Sequence, residues 1–441
     1  MKWHPSLTLF SLRERGIAFP VIHENGPSYG GSPNGTHEFL QESPRFVPWR
    51  WHQDEAREVH RVERYLRYPS IGTTHSIRKS IVGAHVSVSH MARTVAVVIL
   101  NWNGWRDTLE CLESLYQATY DAIRVVLVDN GSSDESIVRF TEYCSGAVEV
   151  ESRIVASRAS VRPTRLVELT RSGAEALSSS QGTSFGPLSR NDLVLIKNER
   201  NYGFAKGCNI GTRFSLSVLD ADYVLLLNND TVVAPDFLDE MVRVGDSDEM
   251  IGILGPKILY YDYGGRNDVI WFAGGVIKPW RDVVLHHVGT GEIDKGQFDS
   301  GGETEWCSGA AMLIKKKLAK TALLNTAYKF GMEDVEYCLK ARKRGYRVVY
   351  VPSAKVWHKS GVSRRKLGRR IARDITGHFR LIRENFSSAV YLYHVLLFFA
   401  IVLPRWAVTY FAEGCDGKTM REFLRDMRQF FVYMTRGCPK E

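Results

Sequence analysis

At 441 residues the chain is long enough to bury a large core, and its 44% hydrophobic and 24% charged residues are ordinary for a globular protein. These proportions exclude a collagen, a disulfide scaffold and wholesale disorder. A net charge of +9 favours acidic partners, whether nucleic acid, anionic lipid or a phosphate-bearing substrate, without choosing among them.

Residues 1–92 carry many His, Arg, Pro and Gly residues, including the breaker cluster Tyr29–Gly35, and sustain neither a helical nor a strand period. They read as a poorly ordered N-terminal extension. Met1–Pro20 is interrupted by His4, Arg13, Glu14 and Arg15 and does not resemble a secretory signal. Met91 stands just before the first convincing strand and is an alternative start for the native chain.

From Thr94 a regular alternation begins. Val95–Leu100, Ile123–Val128, Leu193–Ile196 and Tyr223–Leu227 are short apolar runs suited to strands buried on both faces. Between them, Trp105–Gln117, a segment from Ser133, and Phe204–Val218 have helical spacing. Strands alternating with helices predict an α/β fold, a mostly parallel sheet with helices on both faces. The Ser-, Arg- and Gly-rich stretch 152–190 is long for a connection and reads as an insertion or mobile loop. Residues 93–362 thus form the expected catalytic domain, and 363–441 an α-helical C-terminal region.

That last region opens with a basic stretch, Arg364–Arg383, followed by the almost wholly apolar Ala389–Leu403. Fifteen residues fall short of the roughly 20 needed to span a bilayer. An interfacial or re-entrant helix resting on anionic headgroups fits the pattern, as does a buried helix of a C-terminal subdomain. The seven cysteines are scattered without Cys-x-x-Cys spacing, which argues against a zinc site or a disulfide framework and for a reducing, cytoplasmic setting.

In an open parallel sheet, ligands bind beyond the carboxyl ends of the strands. Three polar stretches fall there: Asn101–Gly104, Asp129–Asp134 and Asn228–Asp230. Asp129 can accept hydrogen bonds from a nucleotide or simply cap the Asn130-Gly131 turn. Asp230, ending an apolar run, offers a hard oxygen ligand to a divalent cation, or terminates its strand as an Asx turn. Glu333-Asp334 opens a helix stopped by Gly345, where an acid is either a dipole partner or a general base. His358 is a possible second metal ligand or a structural histidine. Trp306, with Ser308, Gly309 and the small residues after them, suits a sugar platform, the alternative for the indole being core packing.

In this order, Val98–Gly104, Val128–Asp134, Asn198–Asn209, Leu227–Asp230, Cys307–Ala310, Glu333-Asp334 and His358 resemble glycosyltransferase family 2, the inverting GT-A group, and especially its rhamnosyltransferase-like branch. The resemblance spans Thr94 to His358. It implies a GT-A (Rossmann-like) nucleotide-diphospho-sugar transferase fold and a metal-dependent hexosyltransferase of cell-surface polysaccharide synthesis. The donor would be a nucleoside-diphosphate sugar, with dTDP-rhamnose the first candidate. The acceptor would be a hydroxyl on a saccharide or lipid-linked molecule, at the cytoplasmic face of the inner membrane. It further implies nucleotide-sugar contacts at Asn101, Asn103, Asp129, Asn201, Gly203, Asn209 and Asn229, and acceptor contacts at Trp306, Ser308, Gly309 and Glu333. Asp230 and His358 would hold Mg²⁺ or Mn²⁺, with Asp334 as catalytic base. One departure stands out: Asn228 replaces the first acid of the family's Asp-x-Asp signature, leaving fewer anionic metal ligands. The rival readings are a nucleotidyltransferase, which would release pyrophosphate, and a non-catalytic sugar-nucleotide or membrane-binding protein on the same scaffold. Nucleic-acid binding has no recognised module to support it.

Overall fold

Runs such as Val-Ala-Val-Val-Ile-Leu have no polar alternation, so they fold only where both faces of a sheet are covered. The computed structural model describes residues 92–156, 162–179, 186–281, 284–328, 331–360 and 371–404, with short pieces between 408 and 432. The expected extension before residue 92, Met91, and the basic positions 364–370 lie outside the described residues. In chain order the elements are β1 (Val95–Asn101), α1 (Trp105–Tyr116), β2 (Ile123–Asp129), α2 (Ser136–Cys144), β3 (Arg165–Thr170), α3 (Arg171–Ser179), β4 (Asp192–Lys197) and α4 (Phe204–Ser217). Next come β5 (Tyr223–Asn228), β6 (Thr231–Val233), α5 (Phe237–Asp246), β7 (Ile251–Tyr260), β8 (Ile270–Phe272), β9 (Gly275–Ile277), β10 (Leu285–His287), β11 (Gly302–Glu303) and β12 (Ala311–Lys315). The remainder are α6 (Lys316–Thr321), α7 (Glu333–Lys343), β13 (Arg347–His358), α8 (Ile371–Asn385) and α9 (Ser388–Leu397), the last running into a π-helical turn, Phe398–Val402.

The main sheet has the order β11-β13-β7-β12-β5-β1-β2-β4-β3. Strands β3, β4, β2, β1 and β5 are mutually parallel, as are β7 and β13, while β12 runs antiparallel between β5 and β7. One face carries α4, α6 and α7 over Val98, Val126 and Met312; the other carries α1, α2 and α5 over Val97, Leu225 and Leu254. This is the two-faced, mostly parallel α/β architecture that the sequence predicts. A separate hairpin pairs β9 with β10.

Two differences from the sequence reading have physical causes. The stretch read as an insertion or loop contributes an edge strand and a helix, β3 and α3, to the sheet. Only Leu166, Val167 and Leu169 mark that strand among polar neighbours, since an edge strand needs little apolar content. The helix after β2 begins at Ser136, preceded by a turn in which Asp134 accepts hydrogen bonds from the Ser136 backbone and hydroxyl.

Helix α4 is seated on β1 and β2 by two glycines. A Cβ at Gly211 would stand 2.5 Å from a Val98 methyl and 3.1 Å from a Val128 methyl, and one at Gly207 would meet Leu100. Behind the end of β13, Lys359 ties the chain to α1 through Asp107 at 2.7 Å and Glu110 at 2.5 Å. Tyr261 donates to the other Glu110 oxygen at 2.6 Å. Burial alone would lower the Lys359 pKa, but hydrogen bonds to Asp107 and Glu110 outweigh it and raise it.

Gly211→Val should cost about 1–3 kcal/mol by overpacking a site walled with β-branched side chains, read as a lowered urea midpoint. For Lys359 the folded pKa lies above the unfolded one. Its stabilisation is therefore complete below about 10.4, the unfolded value, and is lost as pH rises through the folded value. Lys359→Met should lower stability by about 1.5–3 kcal/mol near neutrality, the worth of a charged hydrogen bond. It should also flatten the alkaline fall of the melting temperature. A variant whose melting profile overlays that of the parent at every pH would disprove the clamp.

Candidate active site at the carboxyl edge of the sheet

Strand register gathers the polar stretches along one edge. Asn101 pairs with Asp129 across β1 and β2, and Leu100 pairs with Asn228 across β1 and β5. His358 closes β13 opposite Tyr260 of β7 and Thr231 of β6. Because β12 runs the other way, the segment before it, Trp306–Ala310, reaches the same edge, and the Asn228 backbone donates to Ala310 O at 2.9 Å. Gly309 N in turn donates to Asp334 Oδ2 at 2.9 Å, which brings the start of α7 to this edge. Met332 caps α7 in the left-handed region (φ 74°) directly after Gly331 (φ 83°). A non-glycine residue is uncommon there, and such conformations cluster at functional sites.

Asn101 is 0% exposed. Its Nδ2 donates to Asp129 Oδ1 at 2.8 Å, Ser136 Oγ at 3.0 Å and Ser132 Oγ at 3.1 Å. Its Oδ1 accepts from Thr108 at 2.9 Å and from Asn229 at 3.5 Å. The expected nucleotide contact is thus an internal hub: a polar side chain buried at the meeting of several turns must find its partners there. Asp129 also accepts from the Ser132 backbone at 3.0 Å and hydroxyl at 2.6 Å, using three of a carboxylate's about four acceptor sites. Asn103, at φ 51°, accepts the Ser133 N–H at 2.7 Å. Asn201 lies exposed, accepting from Asn130 at 3.0 Å and from Gly203 N at 2.8 Å. Gly131 (φ +71°) allows these two loops to meet, since a Cβ there would lie 2.5 Å from the Arg200 Cα. Asn209 is buried, and both ends of its amide are spent on the Leu324 backbone at 2.8 and 3.0 Å, strapping α4 to the loop after α6.

Asp230 and His358 do come together. Asp230 Oδ1 lies 3.2 Å from His358 Nε2, both residues are buried, and His358 Nδ1 has no hydrogen-bond partner among the described residues. Burial pushes the Asp230 carboxyl up, but His358, a backbone N–H and Lys359 outweigh that and hold it below the usual carboxylate range. A carboxylate oxygen and an imidazole nitrogen at this spacing suit Mg²⁺ or Mn²⁺. Among the described residues no group of three His, Cys, Asp or Glu side chains completes a metal cage, so phosphate or water oxygens would have to fill the remaining positions.

Asp334 is half-buried beside Gly309, whereas Glu333 and Ser308 are buried. Trp306, expected as a platform, is 2% exposed and packed against Phe272, His287 and the Gly275 backbone, where a Cβ would meet the indole at 2.3 Å. The aromatic ring beside Asp230 and His358 is instead Trp271, which stands edge-on to His358 at 4.7 Å and to His287 at 4.8 Å. Trp271 and His287 went unmarked in the sequence because each sits in a short apolar run with no periodic signal. Lys359, Asp107 and Glu110, which hold the end of β13, look like ordinary surface charge until the fold joins them.

Two family models match in tandem, "Glycosyl transferase family 2" over residues 96–154 and "Glycosyltransferase like family 2" over 183–377, together more than half of the chain. Glycosyltransferase GlyG of Streptococcus pneumoniae serotype 4 is 22% identical over 241 residues, covering 54% of this chain and 60% of the relative. Rhamnosyltransferase WbbL of Escherichia coli K12 is 24% identical over 162 residues, 36% of this chain and 61% of the relative. The chain therefore spans about three-fifths of the length of these curated relatives. Among solved structures, the mannosyltransferase PcManGT of Pyrobaculum calidifontis in complex with GDP-Man and Mn²⁺ is 16% identical, covers 87% of this chain and 90% of its own, and has a TM-score of 0.43. The two models take in Asn101 and Asp129 on one side and Asp230, Asp334 and His358 on the other, and on that footing the chain belongs to glycosyltransferase family 2.

Proposed function

We propose that the chain moves a sugar from a nucleoside-diphosphate donor to an acceptor hydroxyl with inversion at the anomeric carbon. The observation that carries this reading is the meeting of two acids at one edge. Asp230 faces His358, and Asp334 is joined to the same strand end through Gly309 N and the Asn228–Ala310 hydrogen bond. Asp129, Asn103, Asn201, Gly203 and Asn229 flank the nucleotide side of the edge, with Asn101 holding Asp129 and Asn229 in position and Asn209 bracing α4 against the Leu324 backbone. Ser308, Gly309 and Glu333 border the acceptor side, backed by Trp306.

In this mechanism Asp230 and His358 hold Mg²⁺ or Mn²⁺, which when bound supplies charge neutralisation to the diphosphate leaving group. Asp334 takes the proton of the acceptor hydroxyl as its oxygen bonds to the anomeric carbon. The bond from that carbon to the diphosphate oxygen breaks on the opposite face, and the nucleoside diphosphate leaves with the electron pair. Anchoring by Gly309 N keeps the Asp334 carboxylate aimed without moving its charge elsewhere. The donor to test first is dTDP-rhamnose, supported by the likeness to a rhamnosyltransferase. A lipid-linked saccharide of cell-surface polysaccharide synthesis, met at the cytoplasmic face of the membrane, is the acceptor that suits the apolar C-terminal helices.

Purified chain incubated with a panel of sugar nucleotides and Mn²⁺ should release free nucleoside diphosphate and form product of inverted anomeric configuration, read by NMR. Pyrophosphate release would instead mark a nucleotidyltransferase. Asp230→Ala should lower turnover by about a hundredfold or more, since a metal supplies several kcal/mol and each tenfold is about 1.4 kcal/mol. Asp334→Asn should keep the donor-induced thermal shift while losing about 10²–10⁴ in transfer rate, the usual worth of a general base. Near-normal turnover in that variant would remove Asp334 from the chemistry.

A further inference from the structure

Among the described residues, the C-terminal helices carry exposed apolar side chains. Helix α9 buries Val390 and His394, and the turn that follows buries Phe398 and Val402, a ridge repeating every four residues that rests on protein. On the other side, Leu392 and Leu396 are 57% and 61% exposed, and in the turn that follows Phe399 and Ile401 are exposed as well. The tip of the β9–β10 hairpin reaches α9 from a distant part of the sequence. His394 Nε2 is 2.8 Å from Pro279 O, and the Trp280 ring stands 5.7 Å from Tyr393 while itself 58% exposed. Lys278 and Arg281, both exposed, bracket that tryptophan.

We infer that Trp280, Leu392, Leu396, Phe399 and Ile401 form a single docking face for an anionic lipid surface, entered from one side only. Isolated exposed apolar residues are normal, but a cluster gathered from two chain segments is not. An exposed Trp flanked by Lys and Arg is what the headgroup layer favours, with the indole at the boundary and the cations against phosphates. The geometry also sets the depth. Ser388–Val402 is about 22 Å long at 1.5 Å per residue, against a hydrocarbon core of about 30 Å. Its opposite ridge is occupied by protein. No helix among the described residues is long and apolar enough to cross a membrane. The face lies on the surface and does not span it. Complementary charge selects lipid over a second copy of the chain, because two such faces would bring Lys278 and Arg281 of both copies together, and the chain as a whole carries +9.

This deepens the membrane contact proposed above and is independent of the sugar chemistry, so vesicle binding and donor turnover are separate readouts. Full-length protein should co-sediment with vesicles of phosphatidylcholine and phosphatidylglycerol and far less with phosphatidylcholine alone. The variant Trp280→Ser/Leu396→Ser/Phe399→Ser should weaken vesicle binding about tenfold or more. Lys278→Glu/Arg281→Glu should weaken it similarly and abolish the preference for the anionic vesicles. All the altered side chains are exposed, and unchanged circular dichroism and nucleotide-induced thermal shift would certify the fold of each variant. Parent protein left in the supernatant with both vesicle types would overturn the proposal. So would serine variants that sediment like the parent, or a parent dimer in light scattering that the serine variant dissolves, which would assign the face to self-association.

Discussion

A single buried amide holds the working edge of this sheet together. Asn101 is sealed from solvent and cross-links the ends of β1 and β2, the turn after β2, the first turn of α1 and the turn after β5 through its own donors and acceptor. An amide at that position has no water to fall back on, so each of its partners must be present for any of them to be stable. The consequence is mechanical. Asp129, Ser132, Asn229 and the segment leading to Asp230 are fixed relative to each other before any ligand arrives, and preorganised polar groups cost nothing to align during reaction.

Three carboxylates stand along this edge in three different settings. Asp129 is largely consumed by its own turn and by Asn101, with three hydrogen bonds accepted from within the fold. Asp230 faces His358 with its charge held on, the state a cation ligand needs. Asp334 accepts from Gly309 N with one oxygen and from Val335 N with the other, and remains half-buried. The same residue type thus stands in three different electrostatic settings because its neighbours differ.

The sequence made the strands legible because parallel strands buried on both faces leave unbroken apolar runs, and the residues ending them were polar enough to mark the site. Asp230 and His358 were readable as a pair, and the structure brings them to 3.2 Å. Other features were not readable. The edge strand β3 needs few apolar residues, and Lys359 meets Asp107 and Glu110 only through folding, with some 250 positions between partners. Asn101 and Asn209 carried the right residue type for ligand contact, yet both are spent on internal bonds, a distinction that depends on burial and not on spacing. Trp306 failed as a platform for a related reason. Gly275 lets the backbone close over its indole, and the aromatic ring set against His358 is the half-buried Trp271.

The β9–β10 hairpin links the two ends of the proposed function. Its base lies in the aromatic cluster beside the metal pair, with His287 against Trp271 and Trp306, and Trp271 against His358. Its tip carries Pro279 and Trp280 into contact with α9. A hairpin only about three residues long on each strand has little freedom to bend between those anchors. Docking the tip on a lipid surface would therefore fix the height of the Asp230–His358 edge above that surface as well. For an acceptor whose sugar is tethered to lipid, that height decides whether its hydroxyl reaches Asp334. On the proposed function, the short hairpin would make membrane docking and acceptor positioning one geometric event.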